Sequence, residues 1–296
     1  MPQPEDKIQW IIKKCFPRSF GIKRRAMHAW KFGTAKYVVV SFPKSGRTWL
    51  RATLTFYYAE RYGLADPPLL EFANLHYLDR RIPKIYFTHD EEATLRPDEL
   101  GRDKSHYRHK HVLFVSRDPR DVCVSLYFHR RHRDRDIEQP IFEFATGEAG
   151  GLRTTIEFMN IWRAALKQIP ASLEISYEAM HAESEQTLAK ILRFFGEEPD
   201  PRAIRIAIER ARFDRLQSLE RKGAFTSGRL IAADPSDADS FKVRRGKVGG
   251  FADYFDAEQQ KRLDELVRNH ASAGAFGVAS SSASGGATGG AARPDA

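Results

Sequence analysis

Residues 37–62 constrain the fold more than any other stretch. Tyr37-Val38-Val39-Val40-Ser41-Phe42 is a short β-branched and aromatic run. Such a run reads as a strand buried on both faces of a parallel sheet. Pro43-Lys44-Ser45-Gly46 is a turn cluster. From Thr48 to Tyr62 the pattern turns helical, with Leu50, Leu54, Tyr57 and Tyr58 on one face. A strand, a tight loop and a helix in that order make an anion site. The uncapped N–H groups and the helix dipole both favour negative charge there.

The same alternation continues along the chain. A second strand is expected over residues 84–88, ending at His89, and a third over 111–116, ending at Arg117. Pro119 opens a helix over 121–132, since its fixed φ suits a first turn. Further helices are expected over 152–167, 185–195 and 201–213, with a fourth strand over 173–177. Strands alternating with helices predict an α/β fold, a single domain with a central parallel sheet flanked by helices. Ligands of such sheets sit at the carboxyl ends of the strands. Lys44, His89 and Arg117 each follow a strand, so all three point to one crevice.

Residues 1–36 read as an N-terminal extension, with Ile8, Ile11, Ile12 and Cys15 at helical spacing. Residues 271–296 are almost all Ala, Gly and Ser, with Phe276 the only aromatic. That composition predicts a disordered tail and leaves 37–270 as the domain. Hydrophobic residues make up 42% of the 296, which is enough for a core and excludes disorder for most of the chain. Two distant cysteines, Cys15 and Cys123, exclude a disulfide scaffold and suit a reducing interior. No run of 18 apolar residues occurs, and the first ten residues lack the apolar stretch of a signal peptide. A cytoplasmic protein is expected. Lys and Arg total 48 against 39 Asp and Glu, a net +9. An excess of that size suits nucleic acid, an anionic membrane surface, a polyanionic small ligand or plain solubility, and its placement decides.

The loop after the first strand is not the nucleoside-triphosphate loop. That motif needs a glycine, four residues, then Gly-Lys-Ser/Thr. Here the lysine precedes the glycine. The string Pro43-Lys44-Ser45-Gly46-Arg47-Thr48-Trp49-Leu50 instead resembles Pro-Lys-Ser-Gly-Thr-Thr-Trp-Leu. That is the phosphosulfate loop of the sulfotransferases that use 3′-phosphoadenosine 5′-phosphosulfate (PAPS). Arg47 is the departure: its backbone N–H still serves the loop, and its guanidinium either reaches phosphate or points to solvent. The resemblance implies the P-loop-type sulfotransferase fold. It implies PAPS as donor, with Lys44, Ser45, Gly46, Arg47 and Thr48 around the phosphosulfate and Trp49 on the adenine.

Two later segments extend the resemblance. In LFVSRDPRDVCVSLYF, residues 113–128, an arginine at a strand end can grip a phosphate through two parallel hydrogen bonds. Read alone, its Asp-Pro-Arg-Asp cluster is also a charged turn with a capping carboxylate. It is similar to the family's 3′-phosphate site, which implies that role for Arg117 and Ser125. In FKVRRGKVGGFADYF, residues 241–255, a solvated basic turn is the plain reading. The segment resembles the flap Arg-Lys-Gly-x-x-Gly-Asp-Trp-Lys, with Arg244, Arg245, Gly246 and Gly249 matching. Gly250 and Phe251 depart from Asp and Trp. Tyr177, in Ile-Ser-Tyr-Glu-Ala-Met, resembles a Tyr-Glu-Asp-Leu segment near the adenine, and alone reads as a core aromatic. Phe213 is a further candidate near the adenine in poorly matching surroundings.

The resemblance implies a histidine base at the end of the second strand, in a Lys-Thr-His or Ser-His context. Thr88-His89 holds that place. Asp90 is the runner-up, with His76 and His111 behind it. The catalytic set expected is Lys44, His89 and Ser125. No metal is expected, since the cysteines are isolated and His129 and His132 sit in an Arg-rich helix end. The acceptor is a hydroxyl or amine of a glycan, lipid or alcohol, met by loops at 63–83, 134–150 and 220–240. Two other classes are weighed against this. A small-metabolite kinase would need ATP and Mg²⁺. A nucleic-acid binder would use the Arg130 to Arg135 cluster, which lacks interleaved aromatics, so no nucleic-acid partner is expected. That cluster is where an anionic acceptor or peripheral membrane contact would be sought.

Overall fold

The computed structural model describes residues 17–90, 93–223, 241 and 245–272. Four strands, β1 (Tyr37–Ser41), β2 (Ile85–Thr88), β3 (His111–Ser116) and β4 (Ser172–Ser176), form one sheet in the order β2-β1-β3-β4. All three pairings are parallel, with Val40 opposite Thr88, Ser41 opposite Val115 and Ser116 opposite Ser176. Every residue of β1 is buried, which accounts for its unbroken apolar run.

Alternate side chains feed two cores. Tyr37, Val39, Ile85, Phe87, Leu113 and Val115 pack on one face, with α2 (Arg47–Tyr62), α8 (Ser184–Phe194) and α9 (Pro201–Arg210). Val38, Val40, Tyr86, Val112 and Phe114 pack on the other. There they meet α4 (Pro119–His129), α6 (Leu152–Leu166) and α11 (Ala257–His270). The helix after β1 and the helix after β3 therefore lie on opposite faces. Neighbouring strands whose connections diverge in this way leave a crevice at their carboxyl ends.

The remaining helices are α1 (Pro17–Thr34), α3 (Asn74–Leu78), α5 (Ile141–Thr146), α7 (Tyr177–Ala182) and α10 (Phe213–Arg221). Helix α1 seats Phe32 edge-on against Tyr86 and Tyr107. Ile8, Ile11, Ile12, Cys15 and nearly all of 271–296 lie outside the described residues. Among the described residues no helix is long and apolar enough to cross a membrane.

Three element boundaries differ from expectation. The fourth strand ends at Ser176, and Tyr177 opens α7, because the Ser176 hydroxyl accepts from the Ala179 N–H at 3.0 Å as an N-cap. The helix expected over 201–213 breaks after Arg210, and the Ala211 carbonyl accepts from the Trp49 indole at 2.8 Å instead. The helix after β3 stops at His129 and continues as a π-turn, Arg130–Asp134.

Candidate active site

The loop from Phe42 to Gly46 turns on two left-handed residues, Lys44 at φ 72° and Gly46 at φ 92°. Gly46 needs its lack of a side chain twice over. A Cβ there would stand 2.4 Å from the Tyr177 ring, and its φ is one that side chains resist. It N-caps α2 with no side chain to satisfy the first turn. The N–H groups of that turn are therefore available to an anion.

Arg117 follows β3 directly and is nine-tenths buried. It donates to the Lys44 carbonyl at 3.2 Å and to the Lys247 carbonyl at 3.3 Å, and its charge lies 3.6 Å from Asp121. Its guanidinium covers the Tyr177 ring at 4.2 Å. The arginine thus joins the first loop, the segment at Lys247 and the Tyr177 ring. Its Nε is buried with no protein partner, and so is the Ser45 hydroxyl. Buried donors of this kind normally find one, and Arg117 lines the cavity, so its Nε fits a polyanionic ligand.

Asp121, in the first turn of α4, is buried and explains how the third segment is held. Its carboxylate accepts from the Gly249 N–H at 2.8 Å and the Phe251 N–H at 2.9 Å. It caps the 3₁₀ turn Gly250–Tyr254 from another element. Replacing Asp121 by Ala is expected to unhook this flap and leave Arg117 without its counter-charge, weakening nucleotide binding at least tenfold by calorimetry. Unchanged binding would mean that the flap does not serve the nucleotide.

Of the predicted flap residues, Arg245 and Gly246 line the cavity, while Arg244 lies outside the described residues. Arg245 is half exposed and pairs with Asp253 at 3.0 Å. Lys247 meets the same carboxylate at 2.8 Å. The hydrogen bond from Lys247 and the two cations hold Asp253 below the usual carboxylate range. Gly246, at φ 62°, passes beneath Phe213, where a Cβ would meet the ring at 2.4 Å. Trp49 is stacked on His181, with centroids 5.3 Å apart at 16°. Burial and Arg117 keep His181 below its ordinary value, so that ring is neutral near pH 7.

His89 follows β2 and lines the same cavity as Lys44, Thr48, Arg117, Ser125 and Tyr177. Its Nδ1 lies 2.9 Å from the Ser41 carbonyl, which can only accept. Nδ1 therefore carries the ring proton and Nε2 the lone pair. The Arg47 guanidinium contacts that Nε2. The other base candidates are placed differently. Asp90 is bound to Lys104 at 2.6 Å and to the Tyr107 hydroxyl at 2.7 Å. His76 is fastened to the Ile82 carbonyl at 2.7 Å, and His111 stands at the start of β3, edge-on to Tyr37.

The Arg130 to Arg135 cluster is less open than its sequence implies. Arg130 pairs with Asp136, Arg131 donates to the Ile137 and Glu138 carbonyls, and Arg133 approaches Glu220 at 4.0 Å. Sequence reasoning missed Asp121, His129, His181 and Lys247. His129 and His181 were recoverable, since each lies four residues after a predicted site residue on the same helix, Ser125 on α4 and Tyr177 on α7, and so on the same helix face.

A model of the sulfotransferase domain matches residues 34–275. The chain belongs to the sulfotransferase family. It is a PAPS-dependent sulfotransferase, and the kinase alternative falls with that match. Cytosolic sulfotransferase 17 of Arabidopsis thaliana is 27% identical over 271 residues, covering 81% of this chain and 76% of that protein. Flavonol 3-sulfotransferase of Flaveria bidentis is 24% identical over 259 residues, covering 77% and 79%. Among solved structures, a mouse sulfotransferase complexed with PAP superposes with a TM-score of 0.54 at 22% identity, over 80% of this chain and 83% of that one. A retinol dehydratase with retinol and PAP gives 0.57 at 17% identity, over 79% and 80%. These two likenesses concern the fold.

Proposed function

We propose that this sulfotransferase acts in the cytoplasm on a hydroxyl or amine of a glycan, glycolipid or small alcohol, with His89 as its base. The observation that carries the assignment is the Ser41 carbonyl at Nδ1, which puts the basic nitrogen of this cavity-lining histidine at Nε2. In this reading Nε2 takes the acceptor proton as the acceptor atom forms its bond to sulfur. The bond from sulfur to the bridging oxygen breaks, and its electron pair stays on the 5′-phosphate of the product PAP. A positioned base contributes roughly 10²–10⁴-fold.

Lys44 and the first-turn N–H groups of α2 meet the charge that grows on the leaving phosphate, the larger share in a transfer of this type. Arg117 and Ser125 hold the 3′-phosphate, with Arg245 and Gly246 above it. Trp49 and Tyr177 border the adenine. The buried, unpartnered Nε of Arg117, a residue that lines the cavity, supports a polyanionic ligand here. Several relatives carry the name cytosolic sulfotransferase, which supports the compartment.

The test is an acceptor screen with labelled PAPS. Phenolic hydroxyls come first, because one relative is a flavonol sulfotransferase, followed by sugar alcohols, glycans and lipid extracts. Label appearing in a hydroxyl or amine acceptor supports the proposal. Label appearing only in inorganic sulfate would overturn it.

A further inference from the structure

Where the family loop reads Pro-Lys-Ser-Gly-Thr, this chain has Arg47, and its guanidinium reaches the Nε2 of His89. It does not point to solvent, and it lines the donor cavity. Strand β2 offers no cation of its own beside the base. Where the motif has lysine in Lys-Thr-His, this chain has Phe87, buried and covered by the Arg51 guanidinium at 3.8 Å. Arg51 is itself committed to the Leu70 carbonyl at 2.6 Å and is buried.

A base stands about 3 Å from the atom it deprotonates, and that atom attacks from about 3–3.5 Å. The group in transfer must therefore pass within two such contacts of Nε2. The Arg47 guanidinium already occupies that zone. A planar guanidinium presents paired donors suited to a tetrahedral oxyanion.

We propose that Arg47 is a catalytic residue of this chain that binds the oxygens of the transferring sulfuryl group. Without donor it rests on the base. With donor it turns to the sulfuryl oxygens and leaves Nε2 to the acceptor. The proposal rests on His89 as the base, but its test does not use the base. PAPS and PAP differ by the sulfuryl group alone, so their affinities separate a sulfuryl contact from a phosphate contact.

Isothermal calorimetry of the full chain with PAPS and with PAP, for Arg47→Thr and Arg47→Lys, reads the difference. Arg47→Thr is expected to weaken PAPS by about tenfold or more, as for a lost charge-assisted hydrogen bond, and PAP by less than about twofold. Arg47→Lys should fall between, since it keeps the charge and loses the fork. Equal losses for both nucleotides would place Arg47 on phosphate or in folding, and thermal melting of the same samples would tell which. No change for either nucleotide also overturns the proposal. Wild-type chain that binds neither nucleotide would overturn the proposal and the donor assignment together.

Discussion

Replacing His89 by Asn is expected to slow sulfuryl transfer by roughly 10²–10⁴-fold while PAP affinity changes less than about threefold. Asn keeps a donor for the Ser41 carbonyl, which His89 engages at 2.9 Å, so the local fold is retained. What it loses is the Nε2 lone pair. The readout is single-turnover transfer from labelled PAPS to the acceptor found in the screen, beside calorimetry with PAP. Activity within a few-fold of wild type would remove His89 as the base. Asp90 is a poor replacement, because Lys104 and Tyr107 already engage its two oxygens. A loss of PAP affinity equal to the loss of rate would make His89 a binding residue instead.

Strand β1, the loop that follows it and strand β3 were legible because each is a local signal. A buried strand shows as an apolar run, a tight turn as Pro and Gly, a helix start as Pro119. Pairing the two halves of the crevice also followed, since parallel strands put Lys44, His89 and Arg117 at one edge. What stayed hidden depends on contacts between distant residues. The apolar period from 201 to 213 gives no reason to stop at Arg210. The helix stops where Trp49, 162 positions earlier, takes the Ala211 carbonyl. Asp121 reads as a first-turn carboxylate of α4, yet it caps a turn 128 residues away. The Arg130 to Arg135 run reads as open charge, and its partners Asp136 and Glu220 come from outside it. The direction taken by Arg47 was equally invisible, because sequence names a side chain and not its target.

The same distinction makes Gly46→Ala the sharpest test of the loop. The change adds one methyl, and sequence alone would count it as a gain in helix propensity at a helix start. The structure reverses that sign. The residue sits at φ 92°, where an L side chain costs about 1–2 kcal/mol. The new Cβ would lie 2.4 and 2.9 Å from two atoms of the Tyr177 ring. That ring cannot retreat, since the Arg117 guanidinium covers it at 4.2 Å and His181 stands 4.4 Å away. Overpacking of this kind costs about 1–3 kcal/mol more. The loop must then move as a unit, carrying the Lys44 carbonyl off Arg117. If the roughly 2–5 kcal/mol falls on the donor seat, PAP affinity drops by about 30-fold to several thousand-fold. The accompanying fall in melting temperature should be several degrees, with a cooperative transition retained. In a Tyr177→Leu background, which itself gives up an adenine-side contact but offers a smaller and more pliable neighbour, Gly46→Ala should lower PAP affinity by a smaller factor than it does in the wild-type chain. A Gly46→Ala chain that melts lower yet binds PAP as tightly as wild type would show that strain at this position acts on the fold alone and that the nucleotide sits elsewhere.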